Sequence, residues 1–235
     1  MGLKAILFDF NGTIVNDESI HQELINEIVL AANLRPPDTE EYQQICLGRS
    51  DRTCIKNLLS RRGRVISEEY LNNTIRSKAK AYQTKLAALE ALPIYPEVKE
   101  TMAKIREAGL KIAVVSGSLK TEIELILDRA DLKQYVDAIV AGEDLAASEP
   151  EPNRYLLAVD LLDKTDPSLK LKPYNCLAID DSEAGIEMAK NAGMQVLGVA
   201  NTYPMHMLQR QANWAVDYLS ELELDRIKDV FDGRI

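Results

Sequence analysis

Short runs rich in aliphatic residues recur along the chain at 5–10, 111–116, 138–141, 176–180 and 195–200. Such runs, with little polar alternation, fit strands covered on both faces, the habit of a parallel sheet. Between them apolar positions fall at helical spacing, at 97–108, 120–130, 154–163 and 183–192. This alternation predicts a doubly wound α/β sheet. Gly109 and Gly193 stand where helix C-caps belong.

The interval after the first run breaks the rhythm, because no second strand pattern appears before residue 111. It reads instead as helices at 18–33, 39–47, 51–60 and 67–89, punctuated by Pro36-Pro37 and Arg62-Gly63. Asp38 with Glu41 three residues on has the form of a capping box. A helical insertion over 17–92 therefore interrupts a core made of 1–16 and 93–235. Leu92-Pro93-Ile94-Tyr95-Pro96 is the expected return hinge, stiffened by two prolines.

Composition narrows the function classes. At 235 residues, 46% hydrophobic and 28% charged, the chain has no apolar run near the roughly 18 to 20 residues that a membrane span needs. The opening segment is apolar too briefly for a signal peptide, and a cytoplasmic, monomeric protein is expected. A net charge of -9 argues against nucleic acid, which is held through clustered Lys and Arg. Cys46, Cys54 and Cys176 are odd in number and lack CxxC spacing, so buried reduced thiols are expected, with neither a disulfide nor a zinc site. His21 and His206 are the two histidines, so any metal should be a hard cation held by carboxylates.

In an open parallel sheet the ligand sits beyond the carboxyl ends of the strands, and four polar clusters fall there. Asp9-Phe10-Asn11-Gly12-Thr13 ends the first run with an acid, and Gly12 lets the backbone turn tightly. Ser116-Gly117-Ser118 offers hydroxyls and amides to an anion at the start of a helix. Ser148-Glu149-Pro150-Glu151-Pro152-Asn153 follows the third run, and Asp180-Asp181-Ser182 the fourth. Adjacent carboxylates repel when ionised and are costly unless solvated or neutralised by a cation.

Taken together these clusters resemble the four motifs of the haloacid dehalogenase superfamily: Asp9-Phe10-Asn11-Gly12-Thr13, then Ser116, then Pro150-x-Pro152, then Asp180-Asp181-Ser182 running on through Gly185-Ile186. The resemblance spans nearly the whole chain. The insertion, with His21 and the Leu47-Gly48-Arg49-Ser50 turn, is similar to the cap of the subgroup containing β-phosphoglucomutase and sugar-phosphate phosphatases. It implies a Rossmann-like α/β core with a helical cap. It also implies an aspartyl-phosphate mechanism in which Asp9 is the nucleophile and Mg2+ is held by Asp9, Asp180, Asp181 and the carbonyl of Asn11. Ser116, with Gly12, Thr13, Gly117 and Ser118, would bind the phosphoryl group, and His21, Arg49, Asp51 and Arg52 are the candidate cap contacts to a small phosphorylated metabolite.

Two residues depart from that pattern. Asn11 stands where the phosphatases and mutases carry their general acid/base Asp, and a carboxamide transfers no proton at useful pH. Glu149 stands where the family carries a phosphate-binding Lys, and the sign of its charge is reversed. Lys120 is a substitute cation or simply a solvated helix residue. The reading is an Mg2+-dependent phosphatase, weak or selective; its alternative is a catalytically impaired binding or regulatory protein, with a mutase third. The dehalogenases of the superfamily use no metal, which sets them apart from the Asp180-Asp181 pattern.

Overall fold

In the computed structural model, which describes residues 2–145 and 153–234, β1 (Ala5–Asp9) leads into four helices, α1 (Glu18–Ala31), α2 (Thr39–Ile45), α3 (Asp51–Arg61) and α4 (Glu68–Ala87). The chain then runs through α5 (Val98–Glu107), β2 (Lys111–Val115), α6 (Lys120–Arg129), β3 (Ala138–Val140) and the short α7 (Gly142–Leu145). After this come α8 (Arg154–Thr165), β4 (Cys176–Asp180), α9 (Glu183–Asn191), β5 (Gln195–Val199), the short α10 (Met205–Leu208), β6 (Trp214–Val216) and α11 (Leu224–Phe231). The strands form one parallel sheet in the order β3-β2-β1-β4-β5-β6. The direction of winding reverses beside β1, so the switch point of the sheet lies at its carboxyl end. All five expected strands form. Neither β6 nor α11 is foreseen by the hydrophobic pattern: β6 is three half-buried residues at the sheet edge, too short to carry a period.

Period two along each strand divides the core into two layers. Ile6, Phe8, Ile112, Val114, Leu177 and Ile179 pack on one face. Ala5, Leu7, Ala113, Val115, Cys176 and Ala178 pack on the other. Positive φ at Gly109 and Gly193 ends α5 and α9 as expected.

The four inserted helices have their own apolar centre, including Ile25, Val29, Tyr42, Ile55, Leu58 and Leu71. Asp38 Oδ1 accepts from Glu41 N at 2.9 Å, but Glu41 does not complete the box and pairs with Arg62 at 2.8 Å instead, tying α2 to the end of α3. Two linkers join this cap to the core side by side: Val15 bridges Ile94, and Asn16 N donates to Pro93 O at 2.6 Å.

The cysteine expectation is corrected in part. Cys46 and Cys54 form a disulfide, while Cys176 is a free, buried thiol. The tight turn between α2 and α3, with Gly48 at φ +68°, folds the chain back so that these two face each other with Cα atoms 4.4 Å apart. Spacing in sequence carries no trace of that fold-back. The paired sulfurs close the loop that contains Leu47, Gly48, Arg49 and Ser50.

Phe8 is fully buried in the middle strand. Phe8→Ala is expected to cost about 3–5 kcal/mol, the range for large-to-small truncation in a packed core, read as a lowered urea midpoint at unchanged slope.

Candidate active site

Asp9 ends β1, and the register that pairs Phe8 with Ile179 carries on to bring Asp9 beside Asp180 at the end of β4. Asp9, Asp180 and Asp181 are all buried, and one carboxylate oxygen from each lies within 4.8 Å of the others. Asp180 accepts from Ser182 N at 2.9 Å, Ser182 Oγ at 2.8 Å and the Tyr155 hydroxyl at 2.5 Å. Asp181 accepts from Thr13 Oγ1 at 3.0 Å and from the Thr202 hydroxyl. Gly12 makes this approach possible: its φ is +85°, and a Cβ there would lie 2.2 Å from Asp181 Oδ2.

Burial, first, and then Asp180 raise the pKa of Asp9 well above the carboxylate range, against the pull of Arg154. The same two causes push Asp181 up to about 8 despite its threonine partners. Three oxygens within 4.8 Å of one another, a little wider than the roughly 4 Å between trans ligands at bonds of about 2.1 Å, suit a hard divalent cation that draws them in. The donor set thus fits magnesium, and the raised pKa values express the same need for positive charge.

Asn11 is held by three hydrogen bonds and lies against His21. Its Oδ1 accepts from Ser116 Oγ at 3.1 Å and Ser118 Oγ at 3.0 Å. Its Nδ2 donates to Asp17 Oδ2 at 3.0 Å and stands 3.0 Å from His21 Nε2. Asp17 is fully buried at the N-cap of α1, and its Oδ2 also accepts from the Tyr82 hydroxyl. His21 stacks on Tyr82 with ring centroids 4.7 Å apart. Lys78 Nζ lies 2.7 Å from His21 Nδ1 and 2.7 Å from Asp51 Oδ1. Burial works against this ammonium, but Asp51, Glu122 and Asp17 outweigh it and raise its pKa. Lys78 therefore donates to Nδ1, leaving the imidazole proton on Nε2, directed at Asp17.

Above Asp9 lies a cavity of about 40 Å³, lined from the core by Asn11, Gly117, Ser118 and Arg154 and from the cap by His21 and Arg49 among others. That volume holds only a few water molecules, so any larger ligand needs cap and core to part. They meet tightly: a Cβ on Gly117 would lie 2.4 Å from Ser50 Cα. Arg154 spans the seam, its Nη2 2.8 Å from Gly48 O and 3.7 Å from Asp9 Oδ1.

Most expected residues converge here. Asp9, Asn11, Gly117, Ser118, His21, Arg49 and Asp51 line the cavity. Ser116 lies just beneath, bonded to Asn11, and Thr13 holds Asp181 in place. Arg52 is not brought in: it binds Glu68 and Asn72, both at 2.5 Å, and staples α3 to α4. Lys120 is exposed, its backbone N bonded to Glu143. Glu149 and the Pro150-x-Pro152 segment lie outside the described residues.

Asp17, Lys78, Tyr82 and Arg154 escape the sequence reading, although three of them leave a trace. Lys78 and Tyr82 fall on the apolar stripe of α4 with Leu71 and Ile75, and a charge on such a stripe signals a buried partner. Arg154 is the first residue of α8, where the helix dipole disfavours a cation.

A family model described as haloacid dehalogenase-like hydrolase matches residues 3–193. The chain is 26% identical to β-phosphoglucomutase of Bacillus subtilis, with 98% of this chain and 96% of that one covered. It is 24% identical to a phosphorylated carbohydrates phosphatase of Thermotoga maritima, with 85% and 87% covered. Among solved structures, an aspartate-to-asparagine variant of CbbY from Rhodobacter sphaeroides, in complex with xylulose-(1,5)-bisphosphate, is 25% identical and superposes with a TM-score of 0.77 over 94% of this chain and 96% of that one. With the buried aspartates at the strand ends and a model match over most of its length, this chain belongs to the haloacid dehalogenase-like hydrolase family.

Proposed function

We propose that this protein is a magnesium-dependent phosphatase of a small phosphorylated metabolite, of the sugar-phosphate kind named for its relatives, working through an aspartyl phosphate on Asp9. The observation that carries the reading is the convergence of Asp9, Asp180 and Asp181 under a small cavity whose walls come from both core and cap. Asp9, Asp180, Asp181 and the carbonyl of Asn11 would hold Mg2+. When bound, it neutralises the carboxylates and shields the substrate's phosphoryl oxygens from them.

Asp9 attacks phosphorus, and the ester oxygen leaves with the electron pair. The Ser118 hydroxyl and the Gly117 backbone face the same cavity as Asp9 and offer contacts to the transferring oxygens. Asn11 cannot protonate the leaving oxygen or activate water for the second step, so both steps lack a proton-transfer contribution of about 10²- to 10⁴-fold. Substrates with acidic leaving groups, such as acyl or aryl phosphates, are least affected. Parting of residues 17–92 from the core about the paired linkers admits substrate, and reclosure excludes water.

The Asn11–Asp17 hydrogen bond supplies a reason for the missing acid. An aspartate at 11 would set two carboxylates about 3 Å apart, one partly and one fully buried, a pair that retains a shared proton. Amide and carboxylate are complementary, and exchanging them preserves the bond. The double substitution Asn11→Asp/Asp17→Asn is therefore expected to raise kcat on alkyl phosphates about 10²- to 10⁴-fold and on aryl phosphates much less, with Asp9→Asn in that background abolishing turnover. The assay is phosphate release from a phosphomonoester panel with Mg2+. No turnover from either the starting protein or the double variant would sink the phosphatase reading in favour of a binding or regulatory protein, which the fully engaged Asn11 amide also accommodates.

The raised pKa values of Asp9 and Asp181 mean that the folded, metal-free protein keeps protons the unfolded chain releases. From the ordinary 3.8 upward both groups make stability fall as pH rises, Asp181 until about 8. Mg2+ replaces those protons, so its thermal stabilisation should grow across that window, reaching about 3 kcal/mol at a hundredfold excess over Kd. Calorimetric scans at pH 5 and pH 8 with Mg2+ or EDTA check this, and Asp181→Asn should reduce the difference.

A further inference from the structure

We propose that Arg154 is the cation that receives the transferring phosphoryl group, acting from the first turn of α8 in place of the lysine that the family carries where this chain has Glu149. The assignment rests on the phosphatase reading for its chemistry and on the geometry of the cavity for its location. The Arg154 side chain is 3% exposed, with Nη2 3.7 Å from Asp9 Oδ1. It lines the same cavity as Asp9, Asn11, Gly117 and Ser118, where a phosphoryl group attacked by Asp9 has to sit.

Folding of α8 does not call for this residue. Asn153 caps the helix, its Oδ1 accepting from Tyr155 N at 3.0 Å and Leu156 N at 3.3 Å. A cation at the first helical position opposes the dipole, and its burial adds a desolvation cost. The neighbourhood is rich in carboxylates, with Asp9, Asp180, Asp181, Glu18 and Asp51 near or on the cavity wall, and a phosphoryl dianion entering it needs fixed positive charge. Among the described residues, the other cations are worse placed. Lys78 is behind His21, Lys120 is exposed, and Arg49 is exposed on the cap turn.

Guanidinium also suits the seam. Its planar fork of five N–H donors can hold the Gly48 carbonyl, 2.8 Å away on the cap, and a phosphoryl oxygen on the core side at once. Cap closure thus fixes the fork over Asp9. Arg154 keeps its proton throughout. The bonds made and broken are Asp9 Oδ to phosphorus and phosphorus to ester oxygen, and Arg154 contributes charge and hydrogen bonds to both.

The experiment uses the full chain with saturating Mg2+ and two readouts, calorimetric titration with inorganic phosphate and phosphomonoester turnover. Arg154→Ala is expected to weaken phosphate binding at least tenfold and to lower kcat/KM by about 10²- to 10³-fold. Arg154→Lys, and Glu149→Lys placed in the Arg154→Ala background, should each recover at least tenfold. Phosphate affinity within twofold of the starting protein in Arg154→Ala overturns the proposal, and so does a loss that neither lysine reverses, since the guanidinium would then be structural. Should Arg154→Ala lose its native circular dichroism, Arg154→Gln takes its place. Phosphate binding without turnover in the starting protein sinks the phosphatase reading while the titration still decides Arg154; neither binding nor turnover sinks both.

Discussion

Three carboxylates buried inside one ligand sphere cannot all carry charge without a cation among them. Asp9, Asp180 and Asp181 meet this condition because the parallel register aligns the ends of β1 and β4, and because Gly12 has no side chain to hold Asp181 away. The supporting groups serve the same arrangement. Tyr155 and Ser182 aim Asp180, and Thr13 and Thr202 aim Asp181. Hydroxyl donors stabilise the ionised form without adding charge, so these contacts orient the acids while leaving the demand for positive charge to a metal and to Arg154.

The cap answers to the same site through a buried polar chain. Asn11 joins the core to Asp17, Asp17 to Tyr82 and His21, and His21 through Lys78 to Asp51. Buried polar networks of this kind are costly when half satisfied, so opening the cap has to break or hydrate several bonds together. The identity of residue 11 therefore bears on how cap and core dock. With an amide at 11 the buried carboxylate at 17 has a donor at 3.0 Å. With an acid there, one of the two would have to stay protonated.

Local pattern carried much of the architecture. Runs of Ile, Leu, Val and Ala bounded by Asp9, Ser116 and Asp180 announced a parallel sheet, because strands buried on both faces have no polar alternation. The helical insertion was legible from its periodicity and from Asp38, which accepts at the start of α2. The strand-end acids and serines were legible as chemistry, since polar residues that follow such runs in a doubly wound sheet fall on its ligand-binding edge.

Pairings set by how the chain folds back and docks were not legible. The Cys46–Cys54 bond, the Asn11–Asp17 contact, the Lys78–His21–Asp51 chain and the approach of Arg154 to both Asp9 and Gly48 all depend on where elements dock. Arg52 and Arg154 make the contrast plain. Each is a single arginine near the start of a helix, yet docking turns one toward Glu68 and Asn72 and the other toward Asp9. Periodicity and turn chemistry are local and can be read along one chain segment. The partner of a long flexible cation is chosen by the charges that packing leaves within its reach, and these are known only once the layers are assembled.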